Sequence, residues 1–159
     1  MSSTGSGADF LNKRSALNRK LAKLPTVSDV VVIDDEHLDA DRMLATLRVI
    51  FGYDVTVRRA STINAAIDLV MQMAPDLIFL DDILKPSDDA THTIPYLRRA
   101  GYAGPIVVVS GQVTRTRRHK LIDTGASEVI HKDDVDSVRL SEVMQSIALG
   151  TATSNPLDK

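Results

Sequence analysis

The sequence contains no cysteine, which excludes disulfides, thiol catalysis, iron–sulfur clusters and cysteine zinc sites together. It has no apolar run near the ~20 residues that a membrane span requires. Its opening, MSSTGSGADF, lacks the apolar stretch of a secretory signal, so a cytoplasmic location is expected. Neither sign of charge dominates. The 19 Lys and Arg against 21 Asp and Glu leave a formal net charge of −2, which argues against nucleic-acid binding over the whole surface but allows local patches. The low hydrophobicity and high net charge of a disordered chain are also missing. What remains is one domain-sized chain of 159 residues, and its 43% apolar content suffices for a core.

Three stretches differ in character. In 1–28, a Ser/Gly-rich start expected to be mobile precedes FLNKRSALNRKLAKL. There Phe10, Leu17, Leu21 and Leu24 share a helical face, and Lys13, Arg14, Arg19, Lys20 and Lys23 occupy the rest. The spacing predicts a basic amphipathic helix ended by Pro25, packed on its own domain or dimerising rather than lying on a membrane. Residues 150–159 form a tail too short for a further domain.

Between them, 29–149 alternates short apolar runs with helical patterns. The runs are VVVI (30–33), VTV (55–57), LIFL (77–80), IVVV (106–109) and EVI (128–130). Helices are expected over 37–50 with Leu38, Leu44, Leu47 and Ile50 on one stripe, and from a cap at Ser61 to about Met73. Two more are expected over 114–124, stopped by Gly125, and over 137–148 with Val138, Leu140, Val143 and Ile147 inward. In SDDATHTIPYLRRAG the late proline predicts a helix starting near Thr93, with Pro95 in its first turn and a long loop 82–92 before it. The alternation implies an α/β fold with a doubly wound, mostly parallel sheet.

Such sheets bind ligands at the carboxyl ends of their strands. Those ends carry Asp34, Asp35 and Glu36, then Asp81 and Asp82, then Ser110, then His131 and Lys132. A single Asp at a strand end is ordinary turn chemistry; four polar ends on one edge are not. Crowded carboxylates repel one another, and a hard divalent cation such as Mg²⁺ relieves that repulsion. A lysine and a hydroxyl opposite them suit an anion. Together these groups suit phosphoryl transfer, with one carboxylate able to act as nucleophile and form an aspartyl phosphate. His37, His92, His119 and His131 have no partner at metal-ligand spacing and are read as solvated.

The segments VVVIDDE, PDLIFLD, VVVSG and GASEVIHK resemble the CheY-like receiver domain of two-component response regulators, over about residues 29–149. The resemblance implies a flavodoxin-like, five-stranded parallel sheet in order 2-1-3-4-5 flanked by five helices, to which this chain adds its N-terminal helix. It also implies a stand-alone phosphorelay protein, not itself an enzyme, that takes a phosphoryl group from a sensor histidine kinase or a phosphotransfer protein onto Asp81. One Mg²⁺ would be held by Asp34, Asp35, Asp81 and the backbone carbonyl of Ile83. Ser110 and Lys132 would bind the phosphoryl oxygens, and Ile83 and Gln112 would flank the approach of hydrolytic water.

Several positions depart from the family pattern. The tandem Asp81-Asp82 leaves a register choice. Pro86 stands four residues after Asp82, but counting from Pro75-Asp76 favours Asp81 and puts Leu84 at the usual apolar position, with Lys85 in place of proline. Val129 replaces the switch aromatic, so no ring flip is expected. Asp133 replaces the proline that usually follows the lysine.

Arg115, Arg117, Arg118 and Lys120 are a solvated helix face or a candidate partner surface, with a cyclic dinucleotide as one anionic ligand such arginines suit. No helix-turn-helix follows the domain, so output is expected through protein–protein contacts with an effector, including a homodimer through this face or the N-terminal helix. Two other readings compete: a pseudo-receiver that binds partners without phosphorylation, and a phosphatase of the haloacid dehalogenase type. The second would carry DxD after the first strand, where this chain has adjacent Asp34-Asp35.

Overall fold

The computed structural model describes residues 26–84 and 88–153. The expected N-terminal amphipathic helix, Lys85 and Pro86 lie outside them. Val27–Ser137 forms one compact unit. It contains β1 (Asp29–Ile33), α1 (His37–Phe51), β2 (Thr56–Ala60), α2 (Ile63–Gln72), β3 (Leu77–Asp81), β4 (Ile83–Leu84) and β5 (Asp88–Asp89). After these come α3 (Ala90–Arg99), β6 (Ile106–Ser110), α4 (Arg115–Thr124), β7 (Glu128–His131) and a 3₁₀ turn (Lys132–Asp134). The helix α5 (Ser137–Thr153) follows and belongs, from Val138, to the second unit. Along it Leu140 and Val143 are buried, whereas Val138, expected inward, is exposed.

Five strands pair in parallel in the order β2-β1-β3-β6-β7. With the short β4–β5 hairpin set aside, this is the flavodoxin-like order 2-1-3-4-5, alternating along the chain with five helices. The central strands β1, β3 and β6 are buried at every position, as strands covered on both faces must be, which is why they read as unbroken apolar runs. Val31, Ile33, Ile78, Leu80, Ile106, Val108 and Val129 contribute to a core with Ala66 and Val70 of α2, Ile94 and Leu97 of α3, and Leu121 of α4.

Polar staples tie the strand starts and helix ends. Asp76 accepts from the Ser28 and Asp29 N–H groups at 2.9 and 3.0 Å, joining the starts of β1 and β3, and these bonds, the Ser28 N–H foremost, hold its carboxyl below the usual range. Arg58 pairs with the buried Asp29 through Nε at 3.1 Å and also donates to the Leu69 and Met73 carbonyls at the end of α2. Arg98 donates to the carbonyls of Tyr102, Gly104 and Gly125 at 2.7–2.9 Å, fastening the entry to β6 to the end of α4. Gly125 itself sits at φ +129°, the left-handed region that terminates helices on glycine.

Four local expectations are corrected. The α1 stripe is Ala40, Met43, Leu47 and Ile50, with Leu38 exposed; the 3.6-residue period passes through 40, 43, 47 and 50 but misses 38. The cap of α2 is Thr62, whose hydroxyl accepts from the Ala65 N–H at 3.1 Å, rather than Ser61. The helix expected near Thr93 starts at Ala90, because Asp89 caps it by accepting from the Thr91 N–H at 2.9 Å; Pro95 therefore lies inside α3. The expected loop 82–92 is shortened accordingly, since Ile83–Leu84 pairs antiparallel with Asp88–Asp89.

Candidate functional site

The strand order reverses between β1 and β3, each going out to a different side of the sheet, and the carboxyl ends of these neighbours leave a crevice. Asp34 and Asp35 leave β1 there, and Asp81 ends β3. Their carboxylates each offer an oxygen within 4.8 Å of the others. Asp34 is held in place by two bonds: its N–H donates to the Ala60 carbonyl at 3.0 Å, and its Oδ1 accepts from the Glu36 N–H at 2.8 Å.

Asp81 is buried, 4% exposed. Burial first, then the Asp34 charge, push its carboxyl up to about 7, against the opposing pull of Lys132 and the Ile83 N–H. Asp34 is also raised, mainly by burial. Lys132 lies at the end of β7 with Nζ 3.4 Å from Asp81 Oδ1 and 3.7 Å from Asp39 Oδ2. Burial pulls its ammonium down, but the charges of Asp81, Asp39 and Asp34 outweigh that and hold it above its ordinary value. Three clustered carboxylates, two of them with raised protonation, facing a single ammonium fit a divalent ion that prefers carboxylate and water.

A second polar knot sits beside the first. Successive residues at a strand end point to opposite sides, so Asp82 diverges from Asp81 while remaining 3% exposed. Its Oδ2 accepts from Ser110 Oγ at 2.8 Å and from Arg117 Nε at 3.1 Å; its Oδ1 accepts from Arg117 Nη2 and from the Ala90 N–H at 3.3 Å. Ser110 Oγ in turn accepts from the Gln112 N–H at 3.1 Å. An open cleft of about 510 Å³ is lined by Asp81, Asp82, Ile83, Asp89, Ser110, Gln112, Arg117 and Lys132, so both knots border one space.

A family model for the response regulator receiver domain matches residues 30–145. The chain belongs to the response regulator receiver family. Solved receivers agree in fold. The signal receiver domain of the response regulator NarL from Mycobacterium tuberculosis is 21% identical, with a TM-score of 0.65 over 79% of this chain and 99% of that one. The receiver domain of NtrX from Brucella abortus is 26% identical, with a TM-score of 0.65 over 75% and 97%. A Burkholderia pseudomallei response regulator, described with a phosphorylated aspartic acid, calcium ion and citrate, is 20% identical, with a TM-score of 0.65 over 83% and 75%. No curated protein sequence matches the chain.

Within this receiver the acidic set and Lys132 come together. Ile83 and Gln112 are exposed at the rim of the cleft, and Val129 is buried in the core, where there is no ring to turn. Ser110 borders the same cleft but its hydroxyl is engaged by Asp82. The basic helix face is split: Arg115 and Lys120 are exposed, Arg118 is exposed but paired with Glu128, and Arg117 is turned inward onto Asp82. Arg117 is therefore not part of a free surface, because a buried carboxylate demands a counter-charge.

Two contributors escaped the sequence reading. Asp39, one turn into α1, is a second anion for Lys132; an acid in the first turn of the helix leaving β1 was the available signal. Asp82 appeared only as a rival register for Asp81, although strand alternation already separates the two. No helix among the described residues is long and apolar enough to cross a membrane.

Proposed function

We propose that this receiver accepts a phosphoryl group on Asp81 from the phosphohistidine of a histidine kinase or phosphotransfer protein. The observation that carries this is the buried Asp81 carboxylate, grouped with Asp34 and Asp35 and 3.4 Å from the Lys132 ammonium. An Asp81 oxygen attacks phosphorus, the bond to the donor's imidazole nitrogen breaks with its electron pair returning to the ring, and an aspartyl phosphate forms. Asp34, Asp35 and Asp81, with the Ile83 carbonyl, would hold one Mg²⁺, which supplies positive charge against the phosphoryl oxygens. Lys132 pairs with those oxygens, and Ser110 donates to one of them.

Output runs through contacts with an effector protein in the cytosol, for which the exposed Arg115 and Lys120 of α4 are the candidate face. The apolar Ile83 faces the cleft where attacking water would stand and slows hydrolysis, while Gln112 is the one side-chain amide among the described residues lining the cleft and can orient that water. The test is phosphoryl transfer from labelled acetyl phosphate in Mg²⁺: wild type and Asp82→Asn should take up label and Asp81→Asn should not. Label persisting in Asp81→Asn and lost in Asp82→Asn would move the acceptor to Asp82.

A further inference from the structure

Asp82 is a buried carboxylate with four donors converging on it from β6, α4 and α3: the Ser110 hydroxyl, two nitrogens of Arg117 and the Ala90 N–H. The hydroxyl has a single proton. Two acceptors lie in its reach, Asp82 Oδ2 at 2.8 Å and the Gln112 carbonyl at 3.1 Å; while it is donated to the nearer, charged Asp82 oxygen, it is not available to a phosphoryl oxygen on Asp81. Arg117 is similarly committed, bidentate on Asp82 with Asp89 Oδ2 3.7 Å away as a further anion. Its dominant bond to Asp82 holds the guanidinium firmly charged. The fork geometry fixes the plane of the Asp82 carboxylate, and with it the position of Oδ2.

We propose that the Asp82–Arg117 pair is a resting-state latch on Ser110: it holds the hydroxyl off the phosphoacceptor, and phosphorylation proceeds to the switched state only as Ser110 leaves Asp82. Asp82 and Arg117 are positioning residues acting through Ser110. The inference rests on Asp81 being the phosphoacceptor. Because Arg117 lies within the first turn of α4 and Ala90 begins α3, the same carboxylate ties both helices to the strand ends. Release of Ser110 therefore loosens the segment that follows it.

The latch makes the two members of one ion pair behave oppositely. Asp82→Asn removes the charged acceptor and leaves Ser110 with neutral acceptors, among them the Gln112 carbonyl at 3.1 Å, from which its proton is more easily drawn. Arg117→Gln strands a buried carboxylate that clings harder to its remaining donors and adds uncompensated negative charge beside Asp81. A purely structural pair would shift both variants in one direction.

The measurement is the affinity of the full chain for beryllofluoride in Mg²⁺, followed by amide exchange over 110–125, with melting temperature recorded for each variant. Asp82→Asn should bind about tenfold more tightly and Arg117→Gln about tenfold more weakly, the scale of one hydrogen bond to a charged group. Arg117→Lys, which keeps the charge and loses the fork, should fall between Arg117→Gln and wild type and serves if Arg117→Gln fails to fold. In a Ser110→Ala background the effect of Asp82→Asn should shrink below about twofold. Persistence of the full effect there identifies a bare charge effect and overturns the latch. Equal or same-direction shifts for Asp82→Asn and the Arg117 variants overturn it as well. If wild type binds no beryllofluoride and takes no phosphoryl group at Asp81, the phosphoacceptor reading fails and the latch with it. Binding by wild type with no difference among the variants removes the latch alone.

Discussion

Asp81→Asn should make the metal-free protein more stable at neutral pH. In the folded chain the Asp81 carboxyl is raised from 3.8 to about 7, by burial and by Asp34. A raised folded value means that the native state binds the proton more tightly than the unfolded one. The contribution is therefore unfavourable above that value, shrinks as pH falls from about 7, and vanishes below the unfolded value near 3.8. The full gap is worth about 4 kcal/mol. Asparagine removes the carboxylate and this penalty, in which the opposing pull of Lys132 at 3.4 Å is already counted, while burying an uncharged amide in the same site gives part of the gain back. A net gain of about 1–3 kcal/mol remains, or roughly 3–10 °C in melting temperature for a domain of this size. Calorimetry or far-UV dichroism in EDTA at pH 7.5 and pH 4.5 measures it: the variant should melt higher at pH 7.5, and the advantage should nearly disappear at pH 4.5. A variant no more stable at pH 7.5, or an advantage independent of pH, would refute the idea that buried repulsion is stored at Asp81.

Adding Mg²⁺ should raise the melting temperature of wild type by several degrees and that of Asp81→Asn by clearly less, since the cation relieves a repulsion that the variant lacks; scans across a Mg²⁺ series check it. The aspartyl phosphate of wild type should last minutes or longer, and Ile83→Asn should shorten it several-fold by letting water be oriented; decay of radiolabel follows this in a chain without Trp. Beryllofluoride should change amide exchange across 111–135 although Val129 offers no aromatic switch. Arg98→Ala should lower stability by about 2–4 kcal/mol, because three carbonyls lose one shared guanidinium, as chemical denaturation would measure.

The strands were legible because β1, β3 and β6 are covered on both faces, so each apolar run marks a strand and the polar residue after it marks the sheet's edge. That edge is where Asp34, Asp35, Asp81 and Lys132 meet, which made the acidic half of the site readable from spacing. The Ser110 side was less so. Its partner Asp82 is one residue from Asp81, and only the alternation of side chains at the end of β3 sends the two carboxylates to different neighbours. Arg117 looked like one cation among four, and nothing local distinguishes it from Arg115 or Arg118; the buried charge at Asp82 selects it through tertiary contact. Helix starts failed for a related reason: Ser61 and Thr62 are equivalent as capping chemistry, and the β4–β5 pairing that lets Asp89 cap α3 is invisible to periodicity.

The most direct test of the account is to locate the phosphoryl group itself. Wild-type protein incubated with acetyl phosphate and Mg²⁺, trapped by borohydride reduction and mapped by peptide sequencing, should carry the modification at Asp81 alone. Modification at Asp82, or none under conditions where the protein is folded and Mg²⁺-bound, would contradict it.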